Sequence, residues 1–330
     1  MTALPSQINP INRIFLNELI DHHLLTLSLS DVLKNEANRL LDETEKKILQ
    51  RLVSVPSPNP TGRAFLARSL FNFVRSLRKE AWRKIAIIWK EKLIEAISQE
   101  PRKTADVLDK ILPVVVTFSF PLKVTLISIM TNEPYLGKTF NQWMRNIEAA
   151  DIERINDAIK IGVFRGENGR QIARRVLGQK RLNGRNGITQ LARNNVGSLA
   201  QTSTNSLINL GRREFYKSNL RLFNDELYVA TLDKRTTEIC NSLNGKFFPI
   251  GEGPYPPVHF NCRSLRVGEL SSDVLGRSPL KPDMELKLLR EFATKRGLRD
   301  IKDRSDLPFG TRGLFDKFVK QRLKSLTGKL

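Results

Sequence analysis

Cysteine and histidine are scarce in this chain, two and three residues among 330. Two cysteines exclude a disulfide-rich secreted scaffold, and a single histidine outside an N-terminal pair is too few for a zinc-dependent nuclease. Acidic side chains are also in short supply: 34 against 55 Lys and Arg, a formal net charge of +21 and a sequence pI near 10.2. That surplus does not dictate a fold, but it favours a polyanionic partner or an anionic surface. A long unbroken apolar run is missing as well. The richest stretch, ILPVVVTFSFPLKVTLISIM at 111–130, is interrupted by Pro113, Pro121 and Lys123. It reads as two short buried helices or strands, and no stable membrane insertion is expected, since a span needs about 20 mostly apolar residues. The opening MTALPSQINPINRIF lacks the basic and apolar regions of a secretory signal, which points to a reducing cytoplasm during synthesis.

What is present is 40% hydrophobic residues, enough for a sizeable core. In SDVLKNEANRLLDETEKKILQRLV, Val32, Leu33, Leu40, Leu41, Ile48, Leu49 and Leu52 return at helical intervals behind Ser30 or Asp31 as N-cap. The prolines of VPSPNPTG, 55–62, end that helix by removing backbone donors and restricting the residues before them. A second helical block runs from Arg63 to about Glu100. Its Trp82, Trp89 and neighbouring apolar residues form a buried face, which places Arg68, Arg75, Arg78, Lys79, Arg83 and Lys84 on the solvated side. His22 and His23, beside Asp21, read as a surface pair.

From about Asp151 the character changes. Residues 159–187 carry Arg165, Arg170, Arg174, Arg175, Lys180, Arg181 and Arg185 against one acid, Glu167. A short helix beginning near Asn168 buries Ile172, Val176 and Leu177, so Arg170 and Arg174 project from another face, either solvated or turned to phosphate or a partner. A long helix from about Gly187 to Asn219 follows, and its Asn, Gln, Ser and Thr content suggests packing between other elements. ELYVATL (226–232) then reads as a strand, LDKRTTEIC as a turn into a short helical piece, NGKFFPI as a hairpin-like return at Asn244 and Gly245, and CRSLRVGEL as a closing strand. Near the C-terminus Leu314, Phe315, Phe318, Val319 and Leu323 make a basic amphipathic helix with Lys317, Lys320, Arg322 and Lys324. The expected class is α+β: a mainly α-helical N-terminal region (1–150), a small C-terminal α+β domain with short antiparallel strands (151–270), and a basic helical extension (271–330).

The series IGVFRGENGRQIARRV, LARNNV, TLDKRTTEICNSLNGKFFPI and PPVHFNCRS resembles the phage Mu F-like family of minor head proteins, or phage head morphogenesis proteins, over about residues 157–268. The ordered set Asp233, Arg235, Thr236, Cys240, Leu243, Gly245, Lys246, Pro256, Pro257, His259, Asn261, Cys262 and Arg263 carries the resemblance. It implies a minor capsid protein, not an enzyme, that is portal-associated and acts in viral capsid assembly. The implied partners are the portal protein, the major capsid protein and packaged double-stranded DNA bound without sequence preference. The implied place is the virion, inside the phage head, after assembly in the host cytoplasm. The alternatives are a genome-delivered effector, ADP-ribosyltransferase-like or thiol-dependent, and an ejected membrane-active protein.

Cys240, His259 and Cys262 follow the spacing C-x18-H-x2-C, thiolate and imidazole ligands that suit zinc. Many relatives carry further cysteines where this chain has Thr237 and Ser264. Three ligands fall one short of a closed structural site, so no cofactor is expected, with zinc as the open alternative and Asp233 as its one candidate fourth ligand. The remaining readings are a Cys240–Cys262 disulfide, a Cys240–His259 catalytic pair, and plain packing of buried thiols, with Asp233 paired to Arg235 or Arg263 to staple the turn. GEGP at 251–254 lacks the Lys-Ser/Thr ending of a phosphate loop.

Overall fold

The computed structural model describes residues 8–56, 59–179 and 186–327. Lys180, Arg181 and Arg185 of the basic cluster lie outside them. Helix α1 (Pro10–Leu27) is followed at once by α2 (Leu29–Val53), in which Leu33, Leu40, Leu41, Ile48 and Leu52 are buried as their spacing predicts. Helix α3 (Arg63–Ile111) runs past the boundary expected at Glu100 and holds Pro101 in its interior. Proline cannot donate to the Ile97 carbonyl four residues back. That carbonyl faces α7 (Thr189–Ser218) at Gly211, where a Cβ would stand 3.2 Å from it. The close approach of the two helices compensates for a break that local propensity alone would produce.

Helices α4 (Lys123–Asn132), α5 (Phe140–Phe164) and α6 (Gly169–Leu177) complete the bundle. A large core joins α2, α3, α5 and α7 through Leu41, Trp82, Trp89, Phe140, Val196 and Leu207. Another closes one end, where Ile48, Leu52, Val74, Ile159, Ile172 and Val176 seat α6 against α2, α3 and α5. Side chains of Asn168 and Gln171 exchange hydrogen bonds with each other's backbone in a capping box that starts α6 where the sequence places it.

The sheet has three strands in the order β2-β1-β3: β1 (Phe223–Val229), β2 (Phe247–Pro249) and β3 (Leu265–Leu270), both pairings antiparallel. The expected mainly helical region with a small antiparallel α+β part is therefore what forms. The sheet does not stand on its own. Phe15 and Leu19 of α1, Leu108 of α3 and Phe215 and Tyr216 of α7 share one core with Phe223, Leu227 and Val267. After α9 (Asp273–Arg277), helices α10 (Pro282–Lys295) and α11 (Arg312–Thr327) enclose a satellite core of Leu288, Leu289, Phe292 and Phe315.

Three expectations are corrected by packing. Arg78 is fully buried instead of solvated: its Nε donates to Asp151 Oδ2 at 2.8 Å, and Trp82 Nε1 donates to the same oxygen at 2.8 Å. His22 and His23 are not a surface pair. His22 Nε2 meets Glu100 Oε2 at 2.9 Å, and His23 is buried against Arg212, whose Nε donates to Glu100 Oε1 at 2.5 Å. The stretch 111–130 is an extended run followed by α4, and much of it is uncovered, with Phe120 48%, Leu122 70% and Val124 68% exposed. Among the described residues no helix is long and apolar enough to cross a membrane.

The buried charges give the fold a pH dependence. Burial opposes ionisation of Glu100, but the Arg212 charge and the His22 hydrogen bond overcome it and bring its pKa down to about 2. Burial, and then the charge of Arg212, lowers His23 to about 3. Both groups bind protons more readily unfolded than folded, so both stabilise the protein at neutral pH. Chemical denaturation across pH should show stability falling from about pH 6.5 towards 3 as unfolded His23 protonates, and again from about 4.5 towards 2 through Glu100. Glu100→Ala, which strands the Arg212 charge, should cost about 3–5 kcal/mol at pH 7.

Candidate functional site

Short elements bring the C-terminal motif together. After β1 the chain turns at Asp233, whose Oδ1 accepts the Arg235 N–H at 2.8 Å while its own N–H donates to Thr236 Oγ1 at 2.7 Å. Thr237 caps α8 (Glu238–Leu243), its side chain accepting from the Cys240 N–H. Gly245 then adopts φ +80°, which an L side chain resists, and its N–H donates to the Tyr228 carbonyl at 2.9 Å to start the return into β2. Asn244 Oδ1 accepts the Ala230 N–H at 2.9 Å, so the predicted Asn-Gly turn is tied to β1 from both residues.

Arg263 closes this turn from the far side. Its two terminal nitrogens donate to the two Asp233 oxygens, each at 2.7 Å, in a bidentate fork. That bond, followed by the Arg235 N–H, holds the Asp233 carboxyl well below the usual carboxylate range. The staple is thus Asp233 to Arg263; the Arg235 side chain is 73% exposed and stands 4.0 Å away, contributing chiefly through its backbone. Asp233 is committed to Arg263 and is not among the groups that converge on the cysteines.

Cys240, His259 and Cys262 do converge. Cys240 Sγ lies 3.1 Å from His259 Nε2 and 3.8 Å from Cys262 Sγ, and the three ligand atoms fall within 4.8 Å of one another. Both cysteines are buried and free, and with Tyr228, Ala230 and Leu243 they form a small core of their own. Ser264 Oγ at 3.3 Å and Tyr228 Oη at 3.5 Å also contact Cys240 Sγ. Burial acts to raise the Cys240 thiol, but hydrogen bonding from Ser264, Tyr228, Thr237 and His259 prevails and brings it down to about 7; burial pushes Cys262 up. The sulfur separation matches the edge of a tetrahedron with about 2.3 Å zinc–sulfur bonds, so three corners of a metal site fit. The other side-chain contacts of Cys240 Sγ are the hydroxyls of Ser264 and Tyr228.

The proline strap between β2 and β3 is held by residues that sequence patterns did not single out. Arg266, fully buried as the second residue of β3, donates to the Glu252 and Pro254 carbonyls at 3.1 and 3.0 Å and to Glu226 Oε2 at 3.1 Å. Its guanidinium lies between the rings of Phe248 and Tyr255, 4.7 Å from each centroid, and Tyr255 Oη donates to Glu226 Oε1. The signal in the sequence is an arginine set between two apolar residues, Leu265 and Val267, at the start of the closing strand.

Polar side chains of α7 and α1 finish the outer edge of β3. Asn209 accepts the Arg266 N–H at 2.9 Å and donates to the Ser264 carbonyl at 3.3 Å, and Asn12 exchanges bonds of 2.8 and 3.2 Å with Leu270. Thr202 accepts the Asn261 N–H at 3.0 Å. The helix expected to lie between elements does so, and its amides take the place of a fourth strand.

Of the basic cluster, Arg165, Arg170 and Arg174 are exposed around α6 and meet no carboxylate among the described residues. Arg175 is engaged instead, its guanidinium paired with Glu167.

The helical scaffold thus carries a tightly braced α+β module whose two thiols are buried. The family model described as Phage Mu protein F like protein matches residues 153–266, from within α5 to the second residue of β3, about a third of the chain. That match supports a phage head morphogenesis protein in general terms. No curated protein and no solved structure matches it.

The brace can be tested directly. Arg266→Met leaves the Glu226 carboxylate buried without its partner and should cost about 3–5 kcal/mol, read by denaturant unfolding, with the Tyr255 environment disturbed in near-UV circular dichroism.

Proposed function

We propose that this protein is a minor head protein at the portal vertex, in contact with the portal and major capsid proteins, that meets packaged duplex DNA through phosphates. The observation that carries the DNA reading is the free exposure of Arg165, Arg170 and Arg174 around one short capped helix, in a chain with a surplus of 21 positive charges. Glu167, the one acid in that stretch, is already taken by Arg175. Such contacts read no sequence and release counterions, so affinity falls with salt. Fluorescence anisotropy with a mixed-sequence duplex should give binding at low salt. Replacing Arg165, Arg170 and Arg174 together by Gln should lower the log-log salt slope by about 0.9 for each phosphate that is no longer neutralised. An unchanged slope would remove the α6 surface from the DNA reading, and failure to co-purify with the portal protein would remove the portal assignment.

In this reading Cys240, His259 and Cys262 are a structural lock. The cysteines are almost wholly enclosed, which denies a substrate access to a thiolate–imidazole pair. The hydroxyls of Ser264 and Tyr228 supply the hydrogen bonds that further thiolate ligands would replace. If a metal were held, these three side chains would be its ligands, and it would brace the same turn. Melting should therefore be unchanged by a strong chelator, and cobalt(II) should give no thiolate charge-transfer band. A band abolished by Cys262→Ser would instead assign a three-residue metal site.

A further inference from the structure

Helices α10 and α11 close over their satellite core and leave beside it an open groove of about 940 Å³. Five cations line it, Lys295 and Arg296 from the end of α10 and Lys317, Lys320 and Lys324 from α11, together with the rings of Phe292 and Phe318. Among the described residues no carboxylate lines it. The neighbouring acids are engaged elsewhere: Glu291 pairs with Arg322 and Lys295, and Asp316 with Arg304. Lys317 and Lys320 are exposed and meet no carboxylate among the described residues. Arg296 is held over the Phe292 ring at 5.1 Å, and Lys295 over Phe318 at 5.4 Å. A ring fixes a cation through its quadrupole but carries no net charge, so the positive field of the groove remains open to a partner.

The spacing of the charges indicates which partner. Lys317, Lys320 and Lys324 stand at i, i+3 and i+7, on one face of α11 over about 10 Å. Duplex DNA carries one negative charge per about 1.7 Å of its axis, or about six over that length. A duplex backbone lying along α11 therefore brings a phosphate to each lysine in any register, whereas an acidic peptide has to place each carboxylate separately. A lipid surface fits poorly. A helix that lies in a bilayer interface buries its apolar face there, and on α11 Phe315, Leu323 and Leu326 are already packed inside the protein.

We infer that the groove between α10 and α11 is a second seat for the phosphate backbone of duplex DNA, separate from the α6 surface. The inference rests on the reading that this protein meets packaged duplex, but not on Arg165, Arg170 and Arg174.

Salt titration of the full chain with a labelled mixed-sequence duplex separates the two surfaces. Lys317→Gln with Lys320→Gln should lower the log-log slope of affinity against salt by about 0.9 for each phosphate no longer neutralised, about 1.8 in all. Lys317→Arg with Lys320→Arg keeps the charge and should keep the slope. Lys34→Gln with Lys234→Gln removes the same charge from exposed positions on α2 and on the turn after β1, and should leave the slope unchanged. A slope lowered by the α6 substitutions but not by the groove pair overturns the inference and leaves the α6 reading standing. A slope lowered by the groove pair alone supports the groove and removes α6. Equal losses from the groove pair and the control pair overturn the inference, because a diffuse field would then suffice. Polyglutamate that binds the wild type more tightly than duplex at equal charge, and loses that binding in the groove pair, also overturns it, by assigning the groove to an acidic protein segment. Absence of duplex binding at low salt overturns both DNA surfaces together.

Discussion

The ion pair between Arg212 and Glu100 sits where three helices far apart in the chain, α1, α3 and α7, meet. Glu100 belongs to α3 just before its internal proline, Arg212 to α7 one residue after the glycine that admits the close approach, and His22 and His23 to α1. A charge with essentially no solvent exposure is tolerable only if its partner is fixed. The position of α7 against α3 is therefore set by chemistry as well as by shape. Asn209 of α7 and Asn12 of α1 carry the link onward to β3 and the residue before it. Scaffold and module are joined through hydrogen bonds that have no alternative partner in water.

Two further pairs repeat the arrangement. Arg78 with Asp151 ties α3 to α5, and Arg266 with Glu226 ties β3 to β1 and to the proline strap. Each joins elements distant in sequence, and each is surrounded by an aromatic group: Trp82 on Asp151, Tyr255 and Phe248 on Arg266. Buried pairs add little net stability over an apolar replacement, but removing one member leaves an uncompensated charge. They serve to select one packing of long helices whose apolar faces are otherwise interchangeable. This gives a physical reason why a protein so rich in arginine spends several of them in its interior, while others, such as Arg165, Arg170 and Arg174, stay on the surface.

Strand edges follow a similar logic. A three-stranded sheet has two edges that must be covered or blunted, and the asparagines of α1 and α7 cover β3 by offering amides in the geometry of a neighbouring strand. Those asparagines explain the polar composition of α7, which is out of place for a helix this deeply buried. Among the described residues the backbone of Val116, Phe118 and Phe120 has no such cover on its outer side.

The sequence by itself determined the helices whose apolar residues recur every three to four positions, the capping box at Asn168, the Asn244-Gly245 turn, and the ordered motif from Asp233 to Arg263 that marks the family. These depend on neighbours within a few residues, or on a pattern of residue types, and both are present in the linear chain. Only the tertiary structure decided that α3 continues through Pro101, that Arg78, His22 and His23 are interior, that Arg263 and not the Arg235 side chain staples Asp233, and that Arg266 braces the strap. In each case the deciding partner lies far along the chain: Gly211 for Pro101, Asp151 for Arg78, Glu100 for His22, Arg212 for His23, Asp233 for Arg263, Glu226 for Arg266. A charged side chain reads as surface until the opposite charge that will neutralise it is known, and that knowledge exists only once the chain has folded.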